Sequence, residues 1–98
     1  MAFMDTYDFD LLKNEAERLV IYELEKQLAK ESGGICLCNE CVVDMAAIAL
    51  NSVKPLYRFS LLGTLYASRA ITEMDYAASI QQEVARAIVK VKKNPSHD

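Results

Sequence analysis

From Phe9 the apolar residues fall at 9, 12, 16, 19/20, 24 and 28, the rhythm of a helix that buries one face. Thr6 and Asp8 stand ahead of it as N-cap residues, and acids in the next turn suit the positive end of the helix dipole. Gly33-Gly34 stops this first helix, because glycine adopts the left-handed C-cap conformation without a steric penalty. Asn39 then caps a second helix carrying Val42, Val43, Met45, Ala46, Ile48, Ala49 and Leu50. Apolar almost all round, it is expected to be the most buried element. Pro55 ends it and forces Lys54 into an extended conformation. Leu56 to Phe59 is a short aromatic and basic connection, and Ser60 caps a third helical stretch. That stretch runs without proline through Leu65, Ala70, Met74, Ala78, Ile80, Val84, Ile88 and Val91 to Lys93. At about 33 residues it is long for a small domain, so a break is expected near Ile71-Thr72-Glu73. There Thr72 and Asp75 resemble a capping box. The fold class is therefore all-α, a small bundle of three to four helices with a Cys-rich loop between helices one and two. Residues 9–93 form the single domain, 1–8 an N-terminal extension, and 94–98 a frayed tail after Asn94-Pro95.

Composition supports this picture. Only 3 glycines and 2 prolines interrupt 98 residues, which favours helices over a turn-rich β fold. An apolar content of 52% with a net charge of −3 is that of a folded chain. Mild acidity gives no reason to expect duplex DNA or an anionic membrane as partner. The first 31 residues hold eight acids against four bases, whereas Arg86, Lys90, Lys92 and Lys93 make a basic C-terminal end. No apolar run is long enough to span a bilayer, and acids occupy the place where a signal peptide needs bases. A cytoplasmic location with reduced thiols is the expectation.

Chemistry concentrates in one place. All 3 cysteines fall within Cys36-Leu37-Cys38-Asn39-Glu40-Cys41. Thiolates are soft ligands, so such a cluster points to zinc held by Cys36, Cys38 and Cys41. The start of helix two favours negative charge at Cys41. A closed structural site needs a fourth ligand, for which water, Asp44, Glu40, His97 or a group from a second chain are the candidates. A disulfide inside the triplet is disfavoured by strain and by a reducing compartment. The opposing interpretation is that the cysteines are small buried hydrophobes.

The run Cys36-x-Cys38-x-x-Cys41-x-x-Asp44, followed by Ala49-Leu50-Asn51-x-x-x-Pro55-x-Tyr57-x-x-Ser60, resembles the late competence development protein ComFB family. Gly63 and the Ala/Val/Ile-rich C-terminus ending in Asn94-Pro95 fit it too, so the resemblance covers roughly residues 10–95. It implies a small all-α homodimer. It also implies zinc in the cysteine-containing members, and a cyclic dinucleotide such as cyclic di-GMP or cyclic di-AMP in others, which act in motility, DNA uptake or cell size. Zinc members use a further cysteine beyond the triplet; this chain has none after Cys41.

Under that resemblance, Lys54 to Arg58 becomes a ligand-recognition loop. Arg58 and Arg69 have the chemistry to pair with phosphate or a guanine edge, and Tyr57 to stack on a base. Asp44 and Asn51 suit a base edge, and Ser60 a phosphate at a helix N-terminus. Taken singly, each has a structural alternative: Asn51 and Ser60 as caps, Pro55 as a breaker, Tyr57 as core. Tyr22, Tyr66, Met74 and Tyr76 recur at helical spacing and are expected in the core or a dimer contact. The apolar second helix independently favours a homodimer, since so small a domain has few faces to cover it.

An enzyme is not expected. No Gly-rich phosphate loop exists, and the single His is the penultimate residue, beyond reach of any nucleophile arrangement. Two other readings stand beside the nucleotide receptor: a zinc-stapled interaction module in competence or type IV pilus and motility regulation, and a thiol-based redox sensor.

Overall fold

A computed structural model of the chain describes residues 2–31, 33–59 and 74–95. Ser60, Gly63, Leu65, Tyr66, Arg69, Ala70, the expected break at 71–73 and His97 lie outside the described residues. In chain order these are a short helix α1 (Phe3–Thr6), a 3-10 turn (Phe9–Leu11), strand β1 (Lys13–Asn14), helix α2 (Glu15–Leu28), helix α3 (Asn39–Ser52), strand β2 (Tyr57–Arg58) and helix α4 (Met74–Lys93). The architecture is helical, as the pattern predicts, with one addition. β1 and β2 pair antiparallel, Lys13 opposite Arg58 and Asn14 opposite Tyr57.

The first long helix starts later than the apolar rhythm suggests. Asn14, not Thr6 or Asp8, is its N-cap, and the Asn14 Oδ1 accepts the Ala16 N–H at 3.1 Å. The same oxygen accepts the Leu56 N–H at 2.8 Å, so a contact across the fold sets the helix start. Asp8 caps the 3-10 turn instead, accepting from the Asp10 N–H. Phe9 and Leu12, counted in the periodic stripe, are consequently exposed. At the other end α2 stops at Leu28, short of the glycines. Gly33 and Gly34 have φ of 117° and 77°, conformations that L side chains rarely adopt, and they turn the chain into the cysteine loop.

The core is three interlocking stripes. Ala16, Val20 and Leu24 line α2; Cys41, Met45 and Ala49 line α3; Tyr76, Ile80, Val84, Ala87, Ile88 and Val91 line α4. Spacing of three and four residues keeps each set on one face. α3 packs most extensively on α4, and α2 lies against both. Val53 and Leu56 extend the core beyond α3. Polar ties hold the helices in register: Gln27 Nε2 donates to the Gln81 carbonyl, and the Tyr76 hydroxyl donates to the Lys54 carbonyl at 2.8 Å. Burial pushes the Tyr76 phenol above its ordinary pKa.

One expectation is corrected here. α3 is not the most buried element: its other face looks outward, and Val43 is 56% exposed. Tyr22 is exposed beside the α2–α4 seam, where it lines a small cavity with Leu19, Tyr76 and Ile80, while Tyr76 is buried as expected.

Candidate functional site

The loop from Gly33 to Cys38 brings Cys36 and Cys38 up to the first turn of α3, where Cys41 sits. The three sulfurs lie within 4.8 Å of one another, and none is in a disulfide. Cys38, not Asn39, is the N-cap of α3: its Sγ accepts the Cys41 N–H at 3.4 Å. An N–H aimed at one sulfur and the positive end of the helix dipole both favour negative charge at the cluster. Cys41 is fully buried and belongs to the core, whereas Cys36 and Cys38 are half-buried beside it. The site is thus anchored at one ligand and open at two.

Tetrahedral zinc with bonds of about 2.3 Å places its sulfurs about 3.8 Å apart. The thiol triplet comes close to that spacing, so the donor set fits a soft ion such as zinc. The group is made of the three sulfurs alone; neither Glu40 nor Asp44 belongs to it. Asp44 lies half-buried one turn further along α3. His97 lies outside the described residues.

A second corner forms where β2 meets the start of α2. The Glu15 N–H donates to the Leu56 carbonyl at 2.9 Å, and Asn14 receives the Leu56 N–H, closing the strand pair. The Glu15 carboxylate is then held from both sides. Arg58 places Nη2 at 2.7 Å and Nε at 2.8 Å from Oε1, while Arg18 places Nη2 at 3.1 Å from Oε2. The hydrogen bond from Arg58 is the main cause that keeps this carboxyl below the ordinary glutamate range, against the opposing effect of burial. Arg58 keeps a third of its side chain exposed.

Arg58 also lines an open groove of about 650 Å³ along the outer side of α2, with Lys13, Arg18, Tyr22, Glu17 and Glu25 among its other walls. Of the ligand residues expected from the sequence and among the described residues, only Arg58 reaches this groove. Tyr57 is not core but 58% exposed, because alternation along β2 turns it away from the side where Arg58 meets Glu15. Asp44 and Asn51 are seven residues apart on α3 and so share one face, with Asn51 exposed near the helix end. Ser60 and Arg69 lie outside the described residues. The partners that sequence reasoning missed are Asn14, Glu15 and Arg18. An Asn followed by acids at 15 and 17 is itself an N-cap signal, one obscured by the apolar residues ahead of it.

Fold and site together define a small helical domain with a three-thiol, metal-competent loop between its first two long helices. The sequence model of the late competence development protein ComFB family matches residues 13–95. The chain belongs to that family. Among solved structures it is similar to the late competence protein ComFB from Bacillus subtilis, with 24% identity, a TM-score of 0.60, and coverage of 87% of this chain and 94% of that one. That likeness concerns the fold. No curated protein matches the chain. Among the described residues, no helix is long and apolar enough to cross a membrane.

Proposed function

We propose that this chain is a non-enzymatic regulatory domain that binds a cyclic dinucleotide, cyclic di-GMP or cyclic di-AMP, as a homodimer. Zinc at Cys36, Cys38 and Cys41 serves as a structural staple, with its fourth ligand from water, His97 or a second chain, since Glu40 and Asp44 lie outside the sulfur group. The observation that carries the ligand reading is the groove beside Arg58. Its volume of about 650 Å³ is in the range of small-molecule sites. Lys13, Arg18 and Arg58 offer charge for two phosphates, Tyr22 a ring for a base, and Glu17 and Glu25 acceptors for a base edge. Tyr57, Asn51 and Asp44, the other ligand residues expected from the sequence, do not line this groove, and Ser60 and Arg69 lie outside the described residues. Apolar side chains left exposed on α2 and α3 support the homodimer. Pairing gives Ile21 and Val43, both exposed, a surface to cover.

A second reading has its own observation. Glu15 already neutralises Arg58, so a phosphate must displace that carboxylate before it can pair. This favours a zinc-stapled interaction module in competence or type IV pilus regulation without a nucleotide. Thermal melts of metal-analysed protein with cyclic di-GMP, cyclic di-AMP and their linear forms separate the two. A ligand that binds only the folded state raises Tm. A selective rise that Arg58→Ala and Arg69→Ala both abolish, with the dimer intact, supports the receptor. An unchanged Tm with about one zinc per chain gives the interaction module.

A further inference from the structure

The family domain begins at residue 13, yet the residues ahead of it are folded. α1 and the 3-10 turn hold the rings of Phe3, Tyr7 and Phe9 against one another, with centroids 4.7, 5.9 and 6.4 Å apart. Those rings remain 67%, 56% and 48% exposed. They do not join the core: no residue of 2–12 is buried. An aromatic cluster that is ordered but wet is the signature of an unfilled contact surface. A groove of about 250 Å³ opens alongside, lined by Tyr7, Phe9, Leu11, Leu12 and Phe59 of the strand-β2 side, with Asp8 at its edge.

Charge says what fits there. Between residues 2 and 12 stand Asp5, Asp8 and Asp10 and no Lys or Arg, and all three acids are exposed. The surface is apolar in the middle and negative around it. We propose that this arm docks an amphipathic helix of a partner protein, its apolar side chains seated on Phe3, Tyr7, Phe9 and Phe59 and its Lys or Arg side chains facing the three aspartates. This is helix-in-groove recognition with an electrostatic rim that sets orientation and on-rate. It goes beyond the receptor reading, and among the described residues the two grooves share only Leu12.

The chain has no Trp, so emission from a single Trp in a synthetic peptide reports the peptide alone. The probe is an amphipathic Leu/Lys peptide of about 14 residues, four helical turns, beside a control with Glu in place of every Lys. Saturable blue-shifted binding of the Leu/Lys peptide alone is expected. The Phe3→Ser/Phe9→Ser variant weakens it at least about tenfold, and Asp5→Asn/Asp8→Asn/Asp10→Asn flattens its salt dependence. If the double variant melts differently from the parent, Phe9→Ser alone replaces it. Metal content and any nucleotide-induced Tm shift stay unchanged in these variants, which separates failure here from failure of the receptor reading. Equal binding of both peptides, or equal binding by parent and variant, overturns the proposal. So does sedimentation in which the parent self-associates through Phe3 and Phe9 while ignoring the peptide: the occupant is then a second copy.

Discussion

The thiol corner and the Arg58 corner are built on opposite plans. The first takes its three side chains from six consecutive residues and roots one of them, Cys41, in the core. The second joins Asn14 and Glu15 to Leu56 and Arg58, and its charged partners are 43 positions apart in the chain. A local site inherits its geometry from a loop and a helix start. A distant one exists only after α2, α3 and the connection at 53–56 have packed. The thiol corner is therefore set locally in position. The Arg58 corner is sensitive to anything that loosens the fold.

The sharpest way to break this contrast is at Cys41. Cys41→Ser removes a sulfur from the triplet and leaves a hydroxyl in an apolar core, so the metal-free protein should lose about 2–3 kcal/mol in urea unfolding. Cys36→Ala should also abolish metal retention, yet change metal-free stability by less than about 0.5 kcal/mol. Equal losses in the two metal-free variants would mean that the triplet is not anchored asymmetrically. Asn14→Ala comes next. It deletes a helix cap and the acceptor for the Leu56 N–H together, with an expected cost of about 2 kcal/mol and lost hydrogen-exchange protection at Leu56. A loss confined to α2, with Leu56 still protected, would show that the strand pair stands without its shared oxygen.

Gly33→Ala tests the loop that delivers the thiols. A Cβ there meets nothing within 4 Å, so the cost is conformational, about 1–2 kcal/mol from the φ of 117°. Glu15 tests the Arg58 corner through pH. Its carboxyl titrates lower in the folded chain than in the unfolded one, so its contribution is fully present above the unfolded value near 4.3 and disappears as pH falls through the folded value. Glu15→Gln should therefore cost at most about 1 kcal/mol at pH 7. Parent and variant should converge in acid; a gap that persists at pH 2–3 would assign the effect to packing.

Helix periodicity was legible wherever the buried stripe was complete. Val20 and Leu24, Met45 and Ala49, and Ile80, Val84, Ile88 and Val91 all occupy the core that the spacing predicts. It misled at Phe9 and Leu12, where apolar residues continue the rhythm but belong to an arm outside the core. Tyr57 and Tyr22 were open questions that composition could not answer, because an aromatic ring serves a core and a contact surface equally well.

The amino-acid sequence by itself determined the helical class, the three-thiol cluster and the family, because each is written in residues close together along the chain. Only the tertiary structure decided where α2 begins, that Arg58 is bound to Glu15, and that Cys41 is core while Tyr57 is surface. Those outcomes depend on which backbone groups and charges meet across long loops. Burial and hydrogen-bond pairing are properties of that meeting and not of any single stretch of chain.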